Sequence, residues 1–247
     1  MLRIRSPPFE PRRLESGAAE RRGEAAVDSA RVEVYGGRQA PLMLLKDLTV
    51  LVPPEAVARR LGYREIGQMA APIRALFDEL MAAAPALLEP CAVVRELELL
   101  REEPRRVVLG QGVLVIESAS LAARVHGCAQ ATAFAATIGS ALEDQVGAAI
   151  EIGEVTRAMV LDALGSMAAD ALAGAVQAHL ALVAQARGLE ATKRYSPGYG
   201  DWNVLDQSAF IAMVEGDQIG LRVNEYGQIL PEKSVSGLVG FRRPRPV

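Results

Sequence analysis

The chain has 247 residues, a formal net charge of −3 at pH 7 and a hydrophobic content of 50%. Its length allows one large domain or two small ones, with ample apolar material for a core. The slightly acidic balance argues against a nucleic-acid-binding protein, which usually carries a basic face. We interpret the short basic ending FRRPRPV as a solvated tail.

Membrane and secretory segments are not expected in this sequence. No charge-free apolar run reaches the roughly 18 residues that a spanning helix needs, and the Arg-rich N-terminal residues contain no apolar signal segment. Cys91 and Cys128 are far apart and form no Cys-x-x-Cys motif. We predict that both are reduced, buried side chains in a cytoplasmic protein.

The first 40 residues are rich in Pro, Gly, Arg and Glu and show no hydrophobic periodicity. We predict a disordered or loosely attached extension over residues 1–40 and one domain over residues 41–247. The domain begins with the apolar run 42–52, which favours a strand. Residues 53–63 start with proline and predict a short helix, and the apolar spacing predicts a longer helix over 71–90.

The middle of the chain changes character. Short β-branched segments separated by turn residues predict antiparallel strands at 91–100, 105–110 and 113–118. Ser118 is a candidate N-cap for a short helix that ends at Gly127. A buried strand over 130–139 and a helix over 140–150 are expected next.

The longest helical pattern runs from about Glu154 to Ala186. Its apolar face has few large side chains, because it contains Gly165, Gly174 and many alanines, so another element can approach the helix backbone closely. Because strands and helices do not alternate strictly, we predict an α+β fold rather than a doubly wound parallel sheet. The apolar stripe of this helix consists of Met159, Val160, Ala163, Leu164, Met167, Ala171, Leu172, Ala175, Val176 and Val183.

The C-terminal part predicts one more helix and two strands. Residues 203–214 favour a short helix, with Asp201 or Asn203 as its N-cap. Residues 219–225 and 234–241 favour strands joined by a loop.

Sequence patterns of self-contained enzymes are absent. The two histidines, His126 and His179, belong to no metal-ligand spacing. No glycine-rich dinucleotide or phosphate loop follows a predicted strand, and no nucleophile elbow is present. We therefore predict no catalytic side chain and no metal site, and a self-contained hydrolase, kinase or dehydrogenase is disfavoured.

Scarce aromatic residues gather in the motif segment, residues 193–203, which has the sequence KRYSPGYGDWN. Pro197 fixes its own φ and keeps Ser196 extended, and Gly198 permits a turn. Arg194 offers a planar fork for a carboxylate or phosphate, and Tyr199 offers a flat face with a polar tip. The segment suits a small zwitterion with a flat ring. The alternative is a rigid loop whose tyrosines fill the core and whose arginine pairs with a surface acid.

The Arg-x-x-x-Gly-Tyr pattern at 194–199 resembles the S-adenosylmethionine-binding motif of the activation domain of cobalamin-dependent methionine synthase. The longer RYSPGYGDW is similar to stand-alone relatives of that domain. Further blocks occur in the family's order and extend the resemblance from Leu42 to Phe241, leaving the N-terminal extension outside: VARRLGYRE, HGCAQATAFAATIG, MVLDALGSMAADAL and ILPEKSVSGLVGF.

The resemblance implies a twisted antiparallel sheet with flanking helices. It also implies a role in methionine biosynthesis, in which the domain presents S-adenosylmethionine to oxidised cob(II)alamin. An electron from flavodoxin, ferredoxin or another low-potential donor accompanies the methyl transfer to cobalt. No Asp-x-His-x-x-Gly cobalamin motif occurs here. The resemblance therefore implies action in trans on the cobalamin-binding core of methionine synthase or on another corrinoid protein.

The family motif implies a role for each matching residue. Arg194 would hold the carboxylate of the methionine moiety, and the backbone of Ser196 would contact adenine. Pro197 belongs to the same cofactor-binding segment. Gly198 would allow close approach of the ligand, and Tyr199 would face the ligand or the corrin ring.

Glu225 matches a family glutamate that could attract the positive charges of the ligand; its alternative role is that of a cap or surface acid. The sequence departs from the family at Asn224 and Tyr226, where the family has Thr and Ser. A ligand-proximal glutamate of the full-length enzyme aligns with Gly174, and Asp47 matches the N-terminal aspartate contact poorly.

These departures keep two alternatives open. One is a non-catalytic accessory module that binds a corrinoid methyltransferase through a degenerate site. The other is an unrelated small-molecule methyltransferase, which the missing glycine-rich loop disfavours.

Overall fold

The structure is a computed structural model that describes residues 31–35, 42–46, 48–110 and 114–244. An antiparallel sheet has the strand order β1-β2-β3-β6-β10-β7, and β4 pairs with both β3 and β5. A separate hairpin joins β8 and β9. The strands are β1 (Arg31–Tyr35), β2 (Leu42–Lys46), β3 (Cys91–Glu103), β4 (Arg106–Leu109), β5 (Leu114–Glu117), β6 (Cys128–Thr137), β7 (Glu190–Ala191), β8 (Arg222–Val223), β9 (Ile229–Leu230) and β10 (Ser234–Arg242).

Helices cover both faces of this sheet. Turns of 3-10 helix lie at 66–68, 84–87, 204–206 and 216–219. The α-helices are α1 (Pro54–Arg60), α2 (Ala71–Ala83), α3 (Ala119–Val125), α4 (Ala141–Glu151), α5 (Val155–Ala186) and α6 (Gln207–Met213).

Successive residues of the central strand β6 face opposite cores. Phe134 and Ala136 pack with α1, α2 and α5 in a cluster that we call the first core. Ala133 and Ala135 pack with α3 and α6 in a cluster that we call the second core. Because successive side chains of a strand point to opposite faces, a strand covered on both faces is apolar throughout. This explains the continuous apolar run that predicted a buried strand here.

The predicted elements are confirmed along most of the chain, including the α+β class and the antiparallel strands. Strand β1 lies inside the predicted extension and pairs with β2, so the sheet begins before residue 41. Residues 1–30 lie outside the described residues, as does Asp47. The antiparallel sheet is not the doubly wound sheet of Rossmann-type methyltransferases.

Two predictions about the surface need correction. The ending FRRPRPV was interpreted as a solvated tail, but its first two residues, Phe241 and Arg242, end strand β10. Phe241 is buried in the first core, in agreement with the strand predicted over 234–241. Both cysteines were expected to be buried; Cys128 is, whereas Cys91 is half-buried, and burial raises the pKa of its thiol. No disulfide joins them.

The length and composition of α5 would allow it to cross a membrane, although charged residues interrupt it. Its most apolar window is 56% buried inside the protein. Leu164, Leu172 and Val176 on this helix pack against the sheet in the first core. A helix in the centre of a protein core is as apolar as a membrane-spanning helix, and α5 lies in the core here.

Candidate ligand-binding site

The first part of the motif segment, through Ser196, lies in an extended conformation along the edge of β10. Tyr195 exchanges two backbone hydrogen bonds with Leu238, at N···O distances of 3.0 and 2.8 Å. The Ser196 hydroxyl donates to the carbonyl oxygen of Ser236 at 2.6 Å. These bonds make the segment a continuation of the sheet, so the backbone of the motif is fixed by the core strand beside it.

Gln177 of α5 attaches the start of the segment to the long helix. Its side-chain nitrogen donates to the carbonyl of Thr192 at 3.0 Å, and its side-chain oxygen accepts from the backbone N–H of Arg194 at 2.7 Å. Val176 and Leu180 are buried beside it on the same helix. The segment is therefore held between β10 and α5.

The side chain of Arg194 lies on the α5 side of the sheet. Its Cβ is 3.4 Å from the position that a Cβ on Gly237 would occupy, and the Phe134 ring of the first core borders the same position. Arg194 is half-buried, and within the described residues its guanidinium makes no hydrogen bond or ion pair. The surface acid expected by the alternative interpretation is therefore not found in the described parts of the chain.

The aromatic residues of the segment divide between core and surface. Tyr195 and Trp202 are buried and stack at 6.3 Å between ring centroids, and Trp202 meets Phe210 edge-on at 5.5 Å. Tyr199 is 51% exposed, and its ring meets that of Tyr195 edge-on. The expectation that tyrosines fill the core holds for Tyr195 and fails for Tyr199, which remains accessible to a ligand.

A tight turn follows the buried Pro197. Gly198 has φ +87, in the left-handed region that favours glycine. Its N–H donates to the carbonyl of Trp202, and the N–H of Tyr199 donates to the carbonyl of Ser196. The turn brings Tyr199 to the surface and returns the chain to the core at Trp202.

Asp201 fastens this turn to a distant helix. Its carboxylate accepts from the Ser118 hydroxyl at 2.6 Å and from the backbone N–H groups of Ala119 and Ser120 at 2.8 and 3.1 Å. The hydrogen bond from Ser118, together with those from the α3 N-terminus, holds the pKa of Asp201 well below its usual range. Asp201 thus caps α3, and not the helix that follows it in sequence.

Glu225 lies in the turn between β8 and β9 and is exposed. Within the described residues no hydrogen bond or ion pair joins it to the motif segment. The turn nevertheless lies close to the motif segment, because Val204 is next to a glycine of each. A Cβ added to Gly227 would lie 2.7 Å from the Val204 carbonyl oxygen, and a Cβ added to Gly198 would lie 3.5 Å from a Val204 methyl group. Asn224 shapes this turn by accepting from two backbone N–H groups.

Four exposed apolar residues lie in the motif segment or in the two turns next to it. Tyr199, Val204, Leu205 and Tyr226 are 51%, 44%, 57% and 74% exposed. Val204 lies beside Gly198 and Gly227, the glycines next to Tyr199 and Tyr226 in the chain. Exposed apolar patches of this kind mark sites of interaction. We call these four residues the aromatic patch.

Arg194, Ser196, Pro197, Gly198 and Tyr199 lie together because they belong to one segment, and Glu225 lies on an adjoining turn. Sequence reasoning missed Gln177, although a polar residue between the buried positions of a helical stripe was a usable signal. It offered Asp201 or Asn203 as the cap of the following helix, and Asp201 instead caps α3. The short turn after 203 is capped by Asn203, whose side-chain oxygen accepts from Leu205 N–H.

No protein-family model matches the chain, and no curated protein matches it. Among solved structures it is similar to the MetH reactivation domain bound to AdoHcy, with a TM-score of 0.56 and 13% sequence identity. The similarity covers 85% of this chain and 81% of the other. This chain therefore has the fold of the MetH reactivation domain: an open antiparallel sheet with helices on both faces.

Proposed function

We propose that this chain binds S-adenosylmethionine and presents its methyl group to a cobalamin carried by a separate corrinoid protein. The main observation in support is the half-buried Arg194, whose guanidinium has no partner in the described residues. It projects from a backbone fixed by β10 and Gln177. The fold is also that of a domain with bound AdoHcy, the demethylated form of the same ligand.

Arg194 is suited to the carboxylate of the ligand. A guanidinium fork binds a carboxylate through two parallel hydrogen bonds. Leaving a half-buried cation unpaired has an energetic cost that an anionic ligand would offset. Ser196, Pro197 and Gly198 offer the ligand an extended edge of backbone next to this cation.

Catalysis at such a site rests on positioning. The sulfonium methyl group is already electrophilic, and the reduced cobalt of the partner is a strong nucleophile, so no general base is required. One electron from a flavodoxin- or ferredoxin-like donor reduces cob(II)alamin, and the cobalt then takes the methyl group and leaves AdoHcy. The chain's own residues hold the ligand and exclude water.

The aromatic patch supports the second half of the proposal, a partner with a flat, largely apolar group. Tyr199 and Tyr226 would face the corrin ring of the cobalamin-binding core of methionine synthase or a related protein. We place this activity in the cytoplasm, where reduced cysteines persist.

Binding of AdoHcy, measured by isothermal titration calorimetry, tests the ligand. Arg194→Ala should weaken it roughly 10- to 100-fold, the range expected for one charged hydrogen-bonding partner. Arg105→Ala is the matched control, since Arg105 is an exposed arginine in the β3–β4 turn. Equal affinity of the wild type and Arg194→Ala would contradict the proposal.

Methyl transfer is tested by mixing the chain, a cob(II)alamin-loaded corrinoid protein, a low-potential reductant and methyl-labelled S-adenosylmethionine. We expect the label on cobalt, with a rate that falls when Arg194 is replaced by alanine. Transfer at the same rate without this chain would contradict the proposal.

A non-catalytic accessory module is the second candidate. It is favoured by Asn224, whose side chain is engaged in shaping its own turn, and by Gly174, which provides no side chain on α5. This candidate predicts binding of the corrinoid protein through the aromatic patch with no label on cobalt.

A further inference from the structure

The corner between α4 and α5 carries a cluster of exposed apolar side chains. Four of the eleven large apolar side chains that are exposed among the described residues lie within residues 150–159. They are Ile150, Ile152, Val155 and Met159, which are 57% to 72% exposed. Single exposed apolar residues are common on protein surfaces, whereas a cluster of them marks a site of interaction.

Three of these side chains border one groove, which we call the corner groove. Ile150, Val155 and Met159 line a space of about 440 Å³ between the end of α1, α4 and the start of α5. The buried residues that line it are Ala158 and Ala163, whose small side chains leave room above the helix backbone. The corner groove can therefore receive an apolar side chain from another chain.

Ile152 lies beside the corner groove but does not line it. It follows α4 in the turn between the lining residues Ile150 and Val155, and it is 72% exposed. An exposed apolar side chain next to an apolar groove makes this surface complementary to itself. A twofold axis at the corner places the Ile152 of each copy at the corner groove of the other, so that the same contact forms twice.

The charges around the corner groove fit the same arrangement. Arg60 lines the groove on the α1 side, and Glu151 precedes the exposed Ile152 in the chain. Both are exposed, and within the described residues neither side chain makes a hydrogen bond or an ion pair. Asp162, the other charged residue of the lining, already pairs with Lys233. The unpaired carboxylate beside Ile152 thus complements the unpaired guanidinium of the groove that receives it.

We propose that this chain forms a twofold dimer through the corner groove. Ile152 of each copy enters the groove of the other copy, and Glu151 of each copy pairs with Arg60 of the other. The interface lies far from the motif segment: Gln177, which holds that segment, is about 27 Å from Met159 along α5, at about 1.5 Å per residue. Both motif segments therefore stay open in the dimer, and the proposal stands or falls separately from the proposed function.

Sedimentation velocity of the full chain tests this proposal. The wild type should have the mass of two chains at protein concentrations of roughly 10 to 100 µM. Ile152→Asp should raise the Kd of the dimer roughly 100-fold or more, because it puts a charge into the apolar groove on both sides of the twofold axis. Leu182→Asp is the matched control, since Leu182 is an exposed apolar residue near the far end of α5. It should leave the mass unchanged, and circular dichroism should show the same helix content in both variants.

An exchange of charges tests the pairing across the axis. Arg60→Glu and Glu151→Arg should each weaken the dimer roughly 3- to 10-fold, because each replaces an attraction by a repulsion of like charges in two places. The double variant restores opposite charges, and its Kd should return to that of the wild type. Single variants that weaken the dimer and a double variant that does not recover it would overturn the pairing of Glu151 with Arg60.

Other outcomes would overturn the dimer itself. A wild type that remains monomeric at roughly 100 µM would do so. A dimer that Ile152→Asp leaves intact would place the contact on another face of the protein. Masses that rise beyond two chains would contradict the closure that a twofold contact imposes.

Discussion

The Asp201 carboxylate accepts a 2.6 Å hydrogen bond from the hydroxyl of Ser118, which lies 83 residues earlier in the chain. Ser118 is buried, and its oxygen in turn accepts from the backbone N–H of Leu121. The turn that presents Tyr199 is therefore anchored to the start of α3. This anchor fixes the turn before any ligand arrives, which reduces the ordering cost of binding.

Replacement of Asp201 by asparagine should lower the free energy of unfolding at neutral pH and weaken AdoHcy binding. The folded-state pKa of Asp201 is lowered, so its ionised form stabilises the fold above the unfolded-state pKa of about 4. That contribution is lost as the pH falls below this value toward the folded-state pKa.

Denaturant unfolding of wild type and Asp201→Asn between pH 7 and pH 2.5 measures this effect. The stability difference should be constant at neutral pH and should shrink in acid. A difference that stays the same across the whole range would show that the carboxylate charge is not what anchors the turn.

Gln177→Ala should release the start of the motif segment from α5. Two hydrogen bonds are lost, each worth roughly 1 kcal/mol to stability, and the backbone N–H of Arg194 loses its acceptor. We expect weaker AdoHcy binding in the calorimeter together with a modest loss of stability. Gln185→Ala, an exposed position on the same helix, should change neither; tight binding by Gln177→Ala would show that the segment needs no clamp.

Two glycine-to-alanine changes should act in opposite directions. A Cβ on Gly237 would lie 2.9 Å from the buried ring of Phe134 and 3.4 Å from Cβ of Arg194, so Gly237→Ala should cost roughly 1–3 kcal/mol through overpacking. Gly174 lies within a helix with open space beside it, and Gly174→Ala should stabilise by roughly 0.5–1 kcal/mol. Thermal unfolding of both variants measures the sign, and equal shifts would contradict the packing described.

Trp202→Ala should remove the anchor between the turn and the second core. Trp202 is 2% exposed and stacks on Tyr195, and deleting a buried tryptophan costs roughly 3–5 kcal/mol. Denaturant unfolding followed by circular dichroism measures the loss. Leu205→Ala, at an exposed position of the neighbouring short helix, should cost far less; similar losses in both variants would show that the burial of Trp202 does not hold the turn.

Local patterns predicted most of the elements of this fold. The spacing of apolar residues in α5 and the continuous apolar run of β6 depend on helix and strand geometry, which acts within a few residues. Pro197 and Gly198 likewise predicted the bend, because their backbone restrictions are intrinsic to the residues. Ser118 was correctly predicted as an N-cap, since its side chain accepts from Leu121 three residues on.

Long-range relations could not be predicted in this way. Asp201 and Asn203 both fit a cap of the next helix, and only the packing of the turn against α3 assigns Asp201 to a helix 83 residues away. Strand β1 was missed although Val32 and Val34 alternate with charged residues, because this pattern spans only five residues inside a stretch rich in Gly, Arg and Glu, and its pairing with β2 supplies the rest of the signal.

The sequence by itself determined which residues could bind a ligand: a guanidinium, a phenol and a bend that keeps them apart. The tertiary structure alone decided that Tyr195 enters the core while Tyr199 stays exposed, and that the half-buried guanidinium of Arg194 has no partner within the described residues. The physical reason is that a local pattern sets the direction of each side chain relative to its own backbone. What that side chain meets depends on how the helix and the sheet edge pack together.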